Sequence, residues 1–219
     1  METTLTTVLN GRSLYHATPL HYLPLILQAN ELRSQQLLGY AMGRKSARRR
    51  DRILGVDSSV HFSLSADTPL LRDKLAKGMP HVVLVSSSEN FGEVAWSVLP
   101  YSTKAWRSKW QCRPVSEPFE MERILRMHDE GIRYRGLEIL VQDRFPLANL
   151  SEIIVHCAEE ADLVNRLLQS RNLSGVPLSL SDARFAENYI PCRLEEIAEY
   201  FENCWKEGKI QPPPNLEFD

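Results

Sequence analysis

The sequence predicts a single α+β domain, and three observations carry that expectation. Short apolar runs of strand length, the clearest being HVVLVSSS from residue 81, are interspersed with amphipathic stretches of helix length. Several strand segments are joined by short or irregular turns, which disfavours a doubly wound parallel sheet. No G-x-G-x-x-G or G-x-x-x-x-G-K-[ST] occurs, so a Rossmann or P-loop nucleotide site has no support. Neither a repeat nor a composition break divides the 219 residues, a length that one core can fill, and residues 1–219 are expected to form one domain.

Taken in order, SLYHAT at 13–18 reads as a strand ended by Pro19. LHYLPLILQANEL fits a helix, with Leu20, Leu23, Ile26 and Leu27 on one stripe and Pro24 early enough to be tolerated. The segment from Leu37 to Arg52 is strongly basic and is expected to be irregular, or helical only at its end. SVHFSLS alternates apolar and polar residues and predicts a strand at 59–65. DTPLLRDKLA offers an Asp or Thr cap followed by proline, a sound helix start. After the strand at 81–86, residues 87–118 are expected to be an irregular connection carrying Trp96, Trp106 and Trp110. A connection that long suggests a lid or substrate loop. EPFEMERILRMHDEG predicts a helix at about 117–130 closed by Gly131. A GLEILV strand, a turn through Phe145 and Pro146, and an EIIVHC strand follow. AEEADLVNRLLQSRNL is an amphipathic helix whose first-turn acids suit the helix dipole. VPLSLS predicts a further strand and CRLEEIAEYFENCWKEG a last helix, with residues 207–219 as an extended tail.

Composition narrows the function classes. Hydrophobic content of 43% and charged content of 25% are ordinary for a globular protein, and a net charge of -2 gives no global pull towards a polyanion. Any phosphate site must therefore be a local patch. METTLTTVLNGRS lacks a basic start and a long apolar core, so no signal peptide is expected, and no run approaches a membrane-spanning length. The cysteines Cys112, Cys157, Cys192 and Cys204 are scattered without a C-x-x-C pair, which suits reduced thiols in a cytoplasmic compartment. The adjacent His156 and Cys157 are too few to build a zinc site, so they read as strand residues and no metal is expected.

Three constellations could carry chemistry. His16 and Thr18 lie at the end of a predicted strand, where imidazole and hydroxyl groups can bond a ribose; a satisfied core or surface histidine is the plainer reading. GRKSARRRDR at 43–52 holds six basic residues, and its arginines suit bidentate contacts to a pyrophosphate or a nucleic-acid backbone; the plainer reading is a solvated loop. Glu138 heads the apolar run Ile139-Leu140-Val141. A carboxylate at a strand end usually sits in water, yet one fixed on a rigid strand can stabilise an oxocarbenium ion beside it. Glycoside hydrolysis generally uses two carboxylates, and no second one is marked here.

In order, these pieces resemble the DarT-type ADP-ribosyltransferases, toxins that modify DNA bases using NAD. LYHATPLHYLPLIL resembles the family's Y-H-x-T…N-L-x-x-I-L opening, and RRRDR its R-R-x-R stretch. SVHFSLSADTPLL resembles V-P-F-Y-F…S-P-M-L, and HVVLVSS the core strand after it. GLEILVQDRFPLANLSEIIVHCAEEADLVNRLL resembles the segment that carries the catalytic glutamate. The likeness covers residues 14–170, and it is the ordered set of five segments that is specific.

The resemblance implies a split, antiparallel or mixed sheet with flanking helices. It implies catalytic roles for Glu138 and Arg50, with Arg48 and Arg49 as alternatives for the arginine. NAD contacts would fall to His16, Ala17, Thr18, Leu25 and Arg33, and nucleic-acid contacts to Arg44, Arg48, Arg49 and Arg52. NAD would be a substrate, single-stranded DNA the acceptor, and an antitoxin ADP-ribosyl hydrolase the partner. The chain departs from the family at Pro19, at Tyr22-Leu23 and at Val60-His61-Phe62, which leaves the acceptor base open. Gly136 stands two residues before the glutamate, where transferases acting on protein arginines carry Gln or Glu, and so fits a nucleic-acid acceptor. The alternatives are an RNA- or protein-modifying transferase of the same fold, and a catalytically silent nucleic-acid-binding module using the basic run and the tryptophans.

Overall fold

The continuous apolar run at 82–85 and the alternating run at 59–63 set up two kinds of strand, one covered on both faces and one two-faced. The structure, a computed structural model, describes residues 8–9, 11–37, 51–91, 95–102, 113–132, 136–171, 175–181 and 189–207. It is an α+β fold with a mixed seven-stranded sheet, a two-stranded ribbon and flanking helices. The described elements are β1 Ser13–Pro19, α1 Leu23–Ala29, β2 Glu31–Arg33, β3 Ser59–Ser63, α2 Pro69–Ala76, β4 His81–Ser87, β5 Trp96–Leu99, α3 Pro118–Asp129, β6 Glu138–Gln142, β7 Arg144–Pro146, β8 Leu150–Val155, α4 Ala158–Ser170, β9 Leu178–Leu180 and α5 Leu194–Glu207. By contacts the chain groups into two units built from interleaved segments: residues 1–14, 32–64 and 87–149, and residues 15–31, 65–86 and 150–219.

In the first unit β6 lies between β3 and β5 and is antiparallel to both. Side-chain alternation then sorts the residues. Val60, Phe62, Trp96, Val98, Ile139 and Val141 are buried and share one face through the pairs Val60–Val141, Phe62–Ile139, Trp96–Val141 and Val98–Ile139. Phe62 meets Phe145 of β7 edge-on, with ring centroids 5.0 Å apart. On the opposite face Leu140 and Leu99 pack with Val56. Each such fully buried side chain contributes about 2 kcal/mol, more than an exposed ion pair such as Arg123–Glu120 supplies. Helix α3 starts where Glu117 accepts the Glu120 N–H at 2.8 Å and Pro118 has no N–H in need of an acceptor. It buries the stripe Met121, Ile124 and Leu125.

In the second unit β1 neighbours β4, β4 pairs antiparallel with β8, and β8 pairs parallel with β9. Residues 81–86 of β4 are all buried, which is why the run 82–85 within it reads as continuously apolar rather than alternating. Helix α4 buries Leu163, Val164, Leu167 and Leu168, and α5 buries Ile197, Phe201 and Cys204. Leu71, Leu75, Val83 and Tyr189 form a core cluster against which Tyr15, Ile154 and Cys157 pack. Beside it Glu160 is fully buried at the third residue of α4. Its carboxylate accepts the His156 N–H at 2.9 Å and the Tyr189 O–H at 2.6 Å. Burial pushes the Glu160 pKa up to about 7 against those two hydrogen bonds, which favour the charged form.

Several expectations need correction. The helix expected over LHYLPLILQANEL is a 3-10 turn at Leu20–Tyr22 followed by α1, and it stops at Asn30, whose φ of 53° is left-handed. Glu31–Arg33 leaves as β2 and pairs with β7, so the turn expected at Phe145 and Pro146 is a short strand. Within the stretch 87–118, expected to be irregular, Trp96–Leu99 forms β5 against β6. Trp96 is buried there and offers no stacking surface, whereas Trp106 and Trp110 lie outside the described residues. His156 and Cys157 follow β8 rather than belonging to it, and Cys157 occupies the N-cap position of α4. Glu207 closes α5, and 208–219 lie outside the described residues.

Candidate active site

Glu138 is the first residue of β6, opposite Ser63 of β3 and Leu99 of β5. Hydrogen-bonded neighbours on both sides fix its backbone, while Leu137 and Ile139 on either side of it in sequence are buried. Its side chain is 20% exposed, so a carboxylate on a rigid strand stays accessible. Gly136, two residues earlier, has no positive φ, and a Cβ there would meet Ser102 at an ordinary 3.6 Å. The glycine is therefore not required by the backbone or by space.

Glu138 has a partner that its local sequence does not announce. His61, on the same face of the neighbouring strand and two residues along, places Nδ1 2.8 Å from Glu138 Oε2. Its Nε2 lies 3.1 Å from the Val56 carbonyl oxygen. A carbonyl can only accept, so Nε2 carries a proton, and an ionised Glu138 takes a second from Nδ1. Burial is the largest single effect on His61 and opposes its charge. The Glu138 hydrogen bond and charge, the Asp51 charge and the Val56 carbonyl together outweigh it, so the imidazole pKa is raised above 6.5. Asp51 is itself buried and accepts a hydrogen bond from Gln35 Nε2 at 3.0 Å. His61 and Asp51 are the site residues that sequence reasoning missed. The signals were an acid inside a run of arginines and a histidine midway along an alternating strand.

The other candidates fall as follows. In the first unit Arg33 is exposed at the end of β2, and Arg52 is exposed in the helical turn 51–54. In the second unit His16 and Thr18 share one side of β1, with His16 half-buried and Thr18 buried, and Ala17 is exposed on the other. Leu25 is half-buried on α1. Arg44, Arg48, Arg49 and Arg50 lie outside the described residues. Among the described residues no group of three or more His, Cys, Asp or Glu could hold a metal ion, and no helix is long and apolar enough to cross a membrane.

Neither a protein-family profile nor a curated protein matches the chain. Solved structures do. Thermus sp. 2.9 DarT in complex with ADP-ribosylated ssDNA superposes with a TM-score of 0.63 at 15% identity, covering 80% of this chain and 96% of that one. The same protein in complex with NAD+ gives 0.59 at 16% identity, covering 78% and 96%. Thermosipho africanus DarTG in complex with ADP-ribose gives 0.52 at 11% identity, covering 91% and 69%. The chain thus has the fold of the DarT DNA ADP-ribosyltransferase structures.

Proposed function

We propose that this chain is an NAD-dependent ADP-ribosyltransferase that transfers ADP-ribose to a nucleobase of single-stranded DNA and acts as a toxin. The observation that carries the reading is Glu138, a partly exposed carboxylate fixed at the head of a doubly paired strand, in a fold shared with proteins solved with NAD+ and with ADP-ribosylated ssDNA. In this mechanism the C–N bond between ribose and nicotinamide breaks, and its electron pair neutralises the nicotinamide ring nitrogen. Glu138 accepts a hydrogen bond from the ribose 2′-hydroxyl and stabilises the cationic sugar. A nucleobase nitrogen attacks C1′ and releases its proton to water. His16, Ala17, Thr18, Leu25 and Arg33 bind NAD. Arg50 positions the diphosphate or the acceptor base, since a guanidinium stays protonated and serves poorly as a base. Arg44, Arg48, Arg49 and Arg52 hold the DNA backbone, and the partner is a hydrolase that removes the mark.

The test is mass spectrometry of single-stranded DNA, RNA and protein after incubation with the chain and NAD. The expected result is an ADP-ribose adduct on DNA with an equal amount of nicotinamide released. Adducts on RNA or protein alone would replace the acceptor, and no NAD consumption with any of the three would refute the enzyme.

A further inference from the structure

We propose that His61 is the positioning residue for Glu138: as an imidazolium it holds one carboxylate oxygen, Oε2, and so leaves Oε1 aimed at the ribose. This rests on the transferase reading of Glu138 and goes beyond it by assigning the group that orients the carboxylate and sets its pH range.

A free glutamate side chain rotates about three torsions, and holding a productive rotamer costs on the order of 1–2 kcal/mol in entropy. Here the 2.8 Å contact from Nδ1 fixes Oε2, and the imidazole is fixed in turn by the Val56 carbonyl at 3.1 Å. Val56 is anchored by its own N–H to the Asp51 carbonyl at 2.9 Å and by its buried side chain. The ring is thus tied at both nitrogens, and its plane and protonation are determined by neighbours whose backbones are themselves paired. Among the described residues, the charged groups acting on His61 are Glu138 on β6 and Asp51 in the 51–54 turn. Both are acidic and both favour the imidazolium. With Oε2 occupied, Oε1 is the carboxylate oxygen left to meet a sugar hydroxyl.

The pH consequence has a definite sign. The His61 pKa is raised, so the pair is present at pH 6.5 and is lost as pH rises through the elevated imidazole value. Activity should fall on the alkaline side because the carboxylate loses its orienting partner.

The experiment measures kcat and KM for NAD across pH 5.5–9 for wild type, His61→Gln and Glu138→Gln. A parallel nitrogen-15 NMR titration follows the His61 ring. His61→Gln keeps one donor near Glu138 but no charge. It should lower kcat at pH 6.5 about 10- to 100-fold with KM within about threefold, and its alkaline limb should vanish. NMR should show both ring nitrogens of the wild type protonated above pH 6.5, with the titration moving down in Glu138→Gln. A folded His61→Gln with wild-type kcat and an unchanged pH profile would overturn the positioning role. So would a faster one, since the contact would then be blocking Glu138. Either result alongside an inactive Glu138→Gln leaves the transferase standing. A fully active Glu138→Gln, or no NAD turnover by wild type, would take down both.

Discussion

At the scale of single residues, the two consequential carboxylates are governed by opposite surroundings. Glu138 faces a cation and remains open to a ligand, whereas Glu160 is sealed in with two neutral donors. Burial raises the Glu160 pKa from 4.5 to about 7, so its folded-state cost appears as pH rises from 4.5 through 7. His156 next to it is pushed down from 6.5 to about 4 by burial, and its cost appears as pH falls through 6.5. Between about 4.5 and 6.5 the two effects oppose each other, so together they should leave the stability nearly unchanged. Glu160→Gln removes one of them. Relative to wild type, its unfolding free energy should climb by on the order of 3 kcal/mol between pH 4.5 and 8. Urea denaturation at a series of pH values checks this, and a constant difference would contradict it. Glu138 itself stands out in the sequence as an acid that opens an apolar run. Its partner does not, since His61 lies 77 residues away and strand alternation fixes a face without naming a neighbour.

At the scale of elements, legibility followed length and local chemistry. Helix α2 was readable from Thr-Pro alone: the Thr68 hydroxyl accepts the Leu71 N–H at 3.2 Å and Pro69 follows. Thr68→Ala should cost about 1 kcal/mol, read as a lower urea midpoint at unchanged slope. The same helix is followed by Gly78, whose φ is +68° and whose added Cβ would lie 2.3 Å from Cys192 Sγ and 3.0 Å from the Ile190 carbonyl. Gly78→Ala should therefore destabilise by roughly 2–4 kcal/mol. Pairing it with Cys192→Ala should restore only part of the loss, because the backbone strain persists. Full recovery in thermal melts would mean that the steric contact alone matters. The strands β2, β5 and β7 escaped notice for a shared reason. At three or four residues each they are too short for a period to show, and they exist because a partner strand offers its hydrogen bonds.

At the scale of the whole molecule, the order of motifs carried what no single motif could. Each of the five segments within residues 14–170 is weak by itself, and 11–16% identity to the matching structures explains why. Their succession nevertheless pointed to the fold that the matching structures share. The units formed by interleaved segments could not be read from the sequence, since no composition change marks where the chain leaves one and enters the other. Glu138 is the residue proposed to make this fold an ADP-ribosyltransferase. The most direct test is transfer of radiolabel from adenylate-labelled NAD to a single-stranded DNA oligonucleotide by the wild type and Glu138→Gln, both verified as folded by circular dichroism. Labelled DNA is expected from wild type, with at least a 100-fold loss in the variant. Equal labelling by the two proteins would contradict it, as would a wild type that leaves the oligonucleotide unlabelled.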